Sequence, residues 1–371
     1  MKSRSMKTTA TILGLMAVIW SGTQAGVHPV STMPESSLTG NSVRGDTLIV
    51  GAVGDIMLGS WLIDVIGTLG PDYPYPDVLP ILQRADLLFG NLEAPFLADT
   101  TGVERMEKTY TFAVPPAGAA VLKAGGFNIV TLANNHILDY GIAGLIGTWA
   151  ALDSIGIQHA GTGRTSNEAH THTTVEMDGN RVAFLAYNHT FPAQFWATGR
   201  RAGTAHASDE GLAREVRRAD SEADIVIVAF HWGGELLETP REYQQILARI
   251  AIDNGADLVV GHHPHTLQPL EWYGGGLIAY SLGNFIFGSY SPSAGGAALI
   301  VKFVDDSPVA AELHPLDVNN LRREFRPLPL EPSMWSILES GVLKAMVDSA
   351  AAGHEGVQVD RKGFILLLPP Q

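Results

Sequence analysis

Cysteine is absent from the 371-residue sequence. Its absence excludes disulfides, thiolate metal sites, a cysteine nucleophile and a lipid-anchored N-terminal cysteine. Any metal ion that the protein binds must therefore be held by nitrogen and oxygen ligands. At 46% hydrophobic residues, the chain can bury a large core in one large domain or two ordinary ones.

Positive charge is also scarce, with 24 Lys and Arg residues against 38 Asp and Glu residues and a formal net charge of -14. Such a balance argues against nucleic acid or anionic lipid as a partner held by a basic patch. An anionic substrate would need a local cation. A bound metal ion could supply that charge.

Apolar runs that could serve as a targeting or membrane segment are confined to the N-terminus. Three cations, Lys2, Arg4 and Lys7, precede a short apolar stretch that is followed by small residues. This pattern predicts a signal peptide over 1–25 and export to a periplasmic or extracellular location. An uncleaved membrane anchor stays open as an alternative, although the stretch is short for a bilayer span. Residues 26–45 are rich in Ser, Pro, Gly and Thr, which predicts a linker.

From residue 46 onward, short apolar runs alternate with segments that have helical spacing. The runs are continuous, which is typical of strands buried on both faces of a sheet. They are TLIVGAVGD, ADLLFGNLE, FNIVTLANNH, RVAFLAYNH, ADIVIVAFHWG, ADLVVGHHPH and GLIAYSLGN. We therefore predict an α/β fold with a main domain over 46–310 and a C-terminal extension over 311–371 that packs on it. A helix is expected over 333–351, before a last strand in GFILLLPP.

Polar side chains that could bind metal or transfer protons follow these apolar runs. They are Asp55, Glu93, Asn134, Asn135, His136, His231, His262, His263 and His265. Because sites in open α/β sheets are built at the carboxyl ends of strands, we expect these residues to converge. Each one alone has an ordinary explanation, such as a helix cap, a loop carboxylate or a core histidine. Their common position is the physical argument for an active site.

The segment GHHPH carries three of these histidines. Pro264 favours an extended conformation for His263, and residues two apart in an extended chain project to the same side. We therefore expect His263 and His265 to converge on metal ions and His262 to point elsewhere.

The candidate donors are carboxylate, amide and imidazole groups without sulfur. Such a set suits one or two divalent ions of Mn, Fe or Zn. A two-metal site would activate water and polarise a scissile carbonyl or phosphoryl group. Ser-His-Asp catalysis fits less well, since the sequence has no G-x-S-x-G elbow.

Six motifs in order resemble the CapA family of bacterial capsule-synthesis proteins, which is associated with poly-γ-glutamate and belongs to the calcineurin-like metallophosphatase superfamily. The motifs are GDIMLG, GNLEAPF, LANNHILDYG, FHWGGE, GHHPHTLQPLE and YSLGNFIF. The resemblance covers residues 48–305 and implies a two-layered β-sandwich core flanked by helices. It also implies an active site at the C-terminal ends of the strands.

The resemblance implies roles for seven of the candidate residues. The metal ligands that it implies are Asp55, Glu93, Asn135, His231, His263 and His265. Glu93 takes the place of the superfamily's bridging aspartate, and His136 is the histidine of its Asn-His pair. The superfamily usually has Asp-x-His at the first motif, and Met57 stands here in place of that histidine. One metal ion would therefore have fewer ligands.

These features favour an exported metal-dependent hydrolase or transferase that acts in capsule or poly-γ-glutamate synthesis or processing. In this mechanism Glu93 holds the metal pair and His136 protonates the leaving group of a scissile amide or ester. One alternative is a metallophosphoesterase, for which Lys108 and Arg105 are the candidate phosphate-binding residues. Another is a non-catalytic factor for polymer assembly or export. The expected partners are a polyanionic capsule polymer or a small-molecule substrate, together with capsule-synthesis membrane proteins.

Cleavage of the predicted signal peptide leads to a testable prediction. The mature protein should be found outside the cytoplasm and begin near Gly26. Mass spectrometry of the intact protein from membrane and extracytoplasmic fractions checks this. A membrane-bound form that retains Met1 would show that the segment is an anchor.

Overall fold

The computed structural model of the protein describes residues 47–206, 208–290, 295–352, 356–360 and 363–370. The predicted signal peptide and linker lie outside these residues. Among the helices in this part of the chain, none combines the length and the apolar character of a membrane span.

The described residues form strands that are numbered here in chain order. They are β1 (Thr47–Met57), β2 (Leu87–Leu92), β3 (Ile129–Thr131), β4 (Gln158–Ala160), β5 (Thr162–Gly163), β6 (Thr173–Met177), β7 (Asn180–Asn188), β8 (Gly203–Thr204), β9 (Ile225–His231), β10 (Leu258–His262), β11 (Leu270–Tyr273), β12 (Gly276–Ala279), β13 (Asn284–Phe287), β14 (Gly295–Val304), β15 (Ser307–Asp317), β16 (Leu328–Pro329), β17 (Val357–Val359) and β18 (Ile365–Leu367).

Helices connect many of these strands. The α-helices are α1 (Leu62–Leu69), α2 (Leu79–Leu82), α3 (Ala119–Gly125), α4 (Gly141–Ile155), α5 (Ser166–Ala169), α6 (Asp209–Asp220), α7 (Glu242–Asp253), α8 (Asn320–Arg323) and α9 (Gly341–Ala351). Short 3-10 helices span Pro116–Gly118, Ala193–Phe195 and Pro332–Leu338.

Two large sheets form the centre of the fold. The first has the strand order β17-β18-β15-β14-β1-β2-β3-β4, with β13 beside β1 and β16 beside β15. The second has the order β11-β12-β10-β9-β7-β6, and β5 pairs separately with β8. Strands β1 to β4 run parallel in the first sheet, as do β7, β9, β10 and β12 in the second. Strands β14, β15, β18 and β17 are joined by antiparallel pairing.

The two sheets pack face to face around an apolar core. Val50 and Phe89 from the first sheet and Phe184 and Ile227 from the second are fully buried in it. The rings of Phe89 and Phe184 meet edge-on with their centroids 5.3 Å apart. Helices α1, α3 and α4 cover the outer face of the first sheet, and α6 and α7 cover that of the second. The predicted α/β fold, a β-sandwich flanked by helices, is confirmed, and each of the seven apolar runs contains a parallel strand.

A repeated side-chain contact fixes the register of the parallel strands near their N-terminal ends. An Asp or Asn just before one strand accepts a hydrogen bond from a backbone N–H at the start of its neighbour. The pairs are Asp86 with Ile49, Asn128 with Leu88, Asp224 with Arg181 and Asp257 with Val226, at 2.7 to 2.8 Å. A one-residue slip would break these contacts and turn buried side chains outward. The opposite, C-terminal ends of the strands are thereby aligned as well.

The chain after residue 310 adds strands to the first sheet, because β15 pairs with both β14 and β18. The prediction of one helix over 333–351 is wrong. A 3-10 helix spans Pro332–Leu338, and Glu339 then has a left-handed φ of 50°. Ser340 begins α9 by accepting a hydrogen bond from the N–H of Leu343. The interruption arises because serine is a strong helix N-cap that satisfies an otherwise unpaired N–H.

Burial raises the pKa of Asp257 to about 7. Because the folded pKa lies above the unfolded value of about 3.9, the folded state binds the extra proton, and stability is lost as pH rises between the two values. Asp257→Asn keeps an acceptor for Val226, as Asn128 does in the first sheet. The variant should therefore raise the free energy of unfolding at pH 8 by ~2 kcal/mol.

Urea unfolding between pH 5 and pH 8 measures this effect. Wild-type stability should fall over that range more steeply than the stability of Asp257→Asn. Asp64→Asn, at an exposed position on α1, is the matched control and should behave like wild type. Equal slopes for wild type and Asp257→Asn would contradict the assignment.

Candidate metal centre

The candidate ligands meet where the C-terminal ends of strands from the two sheets come together. The first sheet supplies Asp55, Glu93, Asn135 and His136, and the second supplies His231, His262, His263 and His265. Most of these side chains are buried. The structure therefore brings the seven site residues chosen from the sequence into one cluster, together with His262.

Glu93 lies at the centre of this cluster. Donor atoms of Asp55, Glu93 and His231 all lie within 4.8 Å of one another, and so do those of Glu93, His263 and His265. Glu93 belongs to both groups of three. A carboxylate that bridges two metal ions requires such a shared position.

His265 connects the two candidate carboxylates. Its Nδ1 lies 3.2 Å from Asp55 Oδ2 and 2.9 Å from Asn284 Oδ1, and its Nε2 lies 3.9 Å from Glu93 Oε1. Burial opposes protonation of His265, but the charge of Glu93 and the hydrogen bond to Asp55 raise its pKa to about 10. The two carboxylates thus stabilise positive charge at this position, and a metal ion that binds to His265 must displace the proton of its imidazole.

His231 and Asn135 form the other side of the cluster. His231 Nε2 lies 2.9 Å from Asn135 Oδ1 and 3.6 Å from Glu93 Oε1. Burial, reinforced by the neighbouring His263, lowers the pKa of His231 well below its usual range. The ring is therefore neutral, which is the form that binds a metal ion.

The surroundings of Glu93 test whether a metal ion fits. Its side chain is fully buried, yet within the described residues neither carboxylate oxygen has a hydrogen-bond partner. Burial, and then the charge of Asp55, raise the pKa of Glu93 well above its usual range. A buried carboxylate without such partners costs several kcal/mol unless it is protonated or paired with a cation. The nitrogen and oxygen donors around it fit a divalent ion.

The first motif lacks the histidine that is usual in the superfamily. Met57, which stands in its place, is buried, and its Sδ accepts a hydrogen bond from the N–H of Gly59 at 3.2 Å. Position 57 therefore offers no nitrogen or oxygen donor to a metal ion.

The prediction that Pro264 keeps the histidine segment extended is wrong. His263 has a φ of 90° and His265 a φ of 56°, both in the left-handed region. Tertiary contacts override the local preference, because His263 N–H donates to Asp55 Oδ2 at 3.1 Å and the Pro264 carbonyl accepts from Leu236 N–H at 2.7 Å. His263 and His265 still converge, but through a tight turn.

The prediction that His262 points elsewhere is also wrong. His262 ends β10 directly beside His231 of β9, and its Nδ1 lies 3.5 Å from Asp55 Oδ1. Burial alone would raise the pKa of Asp55, but His262 and His265 together lower it well below its usual range. Strand pairing, rather than the proline, decides where this ring lies.

Asn91 is a positioning residue that the sequence did not single out. Its Nδ2 donates to Asp55 Oδ1 at 2.8 Å and lies 3.3 Å from His231 Nδ1. Its Oδ1 accepts from Asn134 Nδ2 at 3.0 Å. One buried amide therefore fixes a ligand from each sheet, as outer-shell residues of metal sites do. The sequence signal that could have found Asn91 is its position in GNLE, near the end of β2, which pairs with the strand that carries Asp55.

Asn134 shapes the turn that carries Asn135 and His136. Its Oδ1 accepts hydrogen bonds from the backbone N–H groups of His136 and Ile137, at 3.0 and 2.9 Å. Asn188 Nδ2 donates to its carbonyl at 3.1 Å. Asn134 thus orients the turn that carries Asn135 and His136.

His136 is held by a buried carboxylate and a lysine. Its Nδ1 lies 2.8 Å from Asp139 Oδ2, and Lys108 Nζ lies 2.5 Å from Asp139 Oδ1. Lys108 also donates to the carbonyl of Asn135. Arg105, the other cation considered for phosphate binding, is exposed. The contact with Asp139 orients the ring so that Nε2 is the nitrogen available for proton transfer.

A known protein family shares the sequence that builds this site. The model of the family described as "Bacterial capsule synthesis protein PGA_cap" matches residues 49–289. The chain belongs to this family. The matched range contains all the candidate ligands, and membership in PGA_cap confirms the resemblance to CapA proteins.

Relatives of the PGA_cap chain extend the similarity over most of its length. "Capsule biosynthesis protein CapA" of Bacillus anthracis is 30% identical over 344 residues, which are 90% of this chain and 80% of that protein. "PGA biosynthesis protein CapA" of Bacillus subtilis (strain 168) is 31% identical over 288 residues, 77% of this chain and 74% of that protein. Among solved structures, a 5'-nucleotidase precursor from Thermus thermophilus aligns with 84% of this chain and 60% of its own, at 13% identity and a TM-score of 0.45.

Replacement of the central carboxylate tests the metal centre of this PGA_cap protein. Glu93→Gln should keep the fold and bind divalent metal at least about tenfold more weakly, because a neutral amide bridges two cations poorly. Metal content after purification without chelator, and the metal-dependent rise in melting temperature, measure the change. Glu176→Gln, at an exposed position on β6, is the control. Unchanged metal content in Glu93→Gln would remove Glu93 from the centre.

Proposed function

We propose that this PGA_cap protein is an exported metal-dependent hydrolase or transferase that acts on a capsule polymer such as poly-γ-glutamate. The observation that carries the proposal is the buried, unpartnered Glu93 shared by two groups of nitrogen and oxygen donors. Structural carboxylates in protein interiors are hydrogen-bonded. A carboxylate kept without such bonds, beside an oriented histidine, supports chemistry at this position.

The residues that would hold metal are Asp55, Glu93, Asn135, His231, His263 and His265. When bound, a divalent metal pair would supply an activated water and polarise the scissile carbonyl group. Manganese, iron and zinc all suit these donors.

His136 is the proposed general acid. Asp139 holds Nδ1, so Nε2 is the nitrogen that would take the proton released by the attacking water and pass it to the nitrogen or oxygen of the leaving group as the scissile bond breaks. In hydrolysis, the oxygen of water adds to the carbonyl carbon. In a transferase, the nitrogen of an amine adds instead. Lys108 pairs with Asp139 and fixes its position, and this role does not require the lysine to contact the substrate.

The names of the relatives support the substrate class, since they are described as capsule or PGA biosynthesis proteins. A polyanionic polymer is proposed as the substrate, and capsule-synthesis membrane proteins as the partners that deliver or receive it. Export is proposed from the basic and apolar start of the chain.

Turnover assays with the chromatographically pure protein test the proposal. Wild type with Mn, Fe or Zn should cleave or transfer short γ-linked glutamate oligomers. His136→Gln should retain its metal and lose about 100-fold to 10,000-fold in turnover, the usual contribution of a general acid. His172→Gln, in the loop before β6, is the control and should be fully active.

Other outcomes would identify the alternatives. Hydrolysis of a generic phosphate ester without action on the oligomer would indicate a metallophosphoesterase. Protein that contains no stoichiometric metal when purified without chelator, and that turns over neither substrate, would indicate a non-catalytic assembly factor.

A further inference from the structure

The loop between β9 and α7, residues 233–241, is held rigidly against the histidine turn of the metal centre. Leu236 N–H donates to the Pro264 carbonyl at 2.7 Å. Gln268 Nε2 donates to the carbonyl of Leu237 at 2.7 Å, and Gly233 N–H donates to the Tyr243 hydroxyl at 2.6 Å. The loop thus moves with the turn that carries His263 and His265.

A buried pair of glutamines supports the end of this loop. Gln244 Nε2 donates to Gln268 Oε1 at 3.0 Å, and Gln244 Oε1 accepts from the backbone N–H of Arg241 at 2.9 Å. Both glutamine side chains are fully buried. Buried amides are costly unless their hydrogen bonds are satisfied, so this pair specifies one backbone position for Arg241.

The guanidinium of Arg241 lies over the loop beside the metal centre. A methyl group placed on Gly234 would lie 2.8 Å from Arg241 Nη2, so the absence of a side chain at 234 leaves the space that the guanidinium occupies. Gly234 lies three residues beyond His231, and Leu236 N–H donates to the carbonyl of Pro264, so the guanidinium lies on the loop that borders the candidate ligands.

Arg241 differs from Lys108, the other cation near the cluster. Lys108 is neutralised by Asp139 at 2.5 Å. Arg241 is exposed, and within the described residues no carboxylate lies within 4.0 Å of it. In a chain with a net charge of -14, Arg241 therefore places a positive charge on the loop beside the candidate ligands. Its planar fork matches the two oxygens of a carboxylate or a phosphate.

We propose that Arg241 binds an anionic group of the substrate, a carboxylate or a phosphate, next to the metal centre. This inference rests on the proposed function for the position of the reacting bond, since the anion would be held beside it. The metal ions would act on the scissile group, while Arg241 selects substrates that carry a negative charge at a fixed distance from it.

Calorimetric binding to the intact protein tests the inference with two probes, a short γ-linked glutamate oligomer and inorganic phosphate. Titrations are run on protein as purified and on chelator-treated protein, so that binding to metal is separated from binding to Arg241. Arg241→Gln should weaken binding of at least one probe about tenfold or more in both preparations, as loss of a charged hydrogen-bond pair does. Arg249→Gln removes a cation of α7, the helix that follows Arg241, where Arg249 is paired with Glu271, and it should bind like wild type.

A second variant keeps the charge and moves it. Gly234→Ala should displace the guanidinium and weaken the same probe, whereas Arg241→Lys should fall between wild type and Arg241→Gln. The probe that responds identifies the source of the anion. Wild-type protein that binds neither probe, or Arg241→Gln that binds both like wild type, would overturn the inference.

The proposed function can fail separately from this inference. Arg241-dependent binding without turnover would support the anion site and contradict the hydrolase. If the protein turns over substrate but Arg241→Gln changes neither the binding of the probes nor the KM, the anion site alone would be contradicted.

Discussion

The structure around the site depends on one electrostatic constraint, the burial of Glu93 without hydrogen-bond donors for its carboxylate. A carboxyl group in this position must either hold its proton or have a cation beside it. Neutral His231 and His263, protonated His265 and ionised Asp55 are arranged around it in a way that leaves room for positive charge at the centre. The histidine rings and the asparagine amides surround this one side chain.

The site also depends on the packing of the two sheets, because neither sheet carries a complete set of ligands. Asn91 contacts Asp55 within the first sheet and His231 at the end of the second, so a shift of one sheet over the other would separate Asn91 from His231. The Asp and Asn contacts at the opposite ends of the strands oppose such a shift within each sheet. Core packing between Phe89 and Phe184 resists it between the sheets. The positions of the candidate ligands therefore depend on the packing of the whole sandwich.

Much of this arrangement could be predicted from the sequence, and the limits have physical causes. Continuous apolar runs identified the buried parallel strands, and the polar residues that end them converge because parallel strands share one edge. The antiparallel pair β14 and β15 was not singled out, since its burial also removes the polar alternation that usually reveals such strands. The turn at His263 was misjudged because contacts to Asp55 and Leu236, distant in sequence, override the preference of a residue before proline. Asn91 was missed because its position near a strand end does not show which residues on the neighbouring strands it contacts.

The left-handed backbone at His263 and His265 has an evolutionary consequence. Residues other than glycine, asparagine and aspartate are disfavoured there by ~1 kcal/mol or more, so each histidine is held against the conformational preference of its own backbone. In a PGA_cap homologue whose function did not require these two imidazoles, glycine or asparagine would be the more stable choice at both places. The residues found at them across the family would therefore show which members need the two imidazoles.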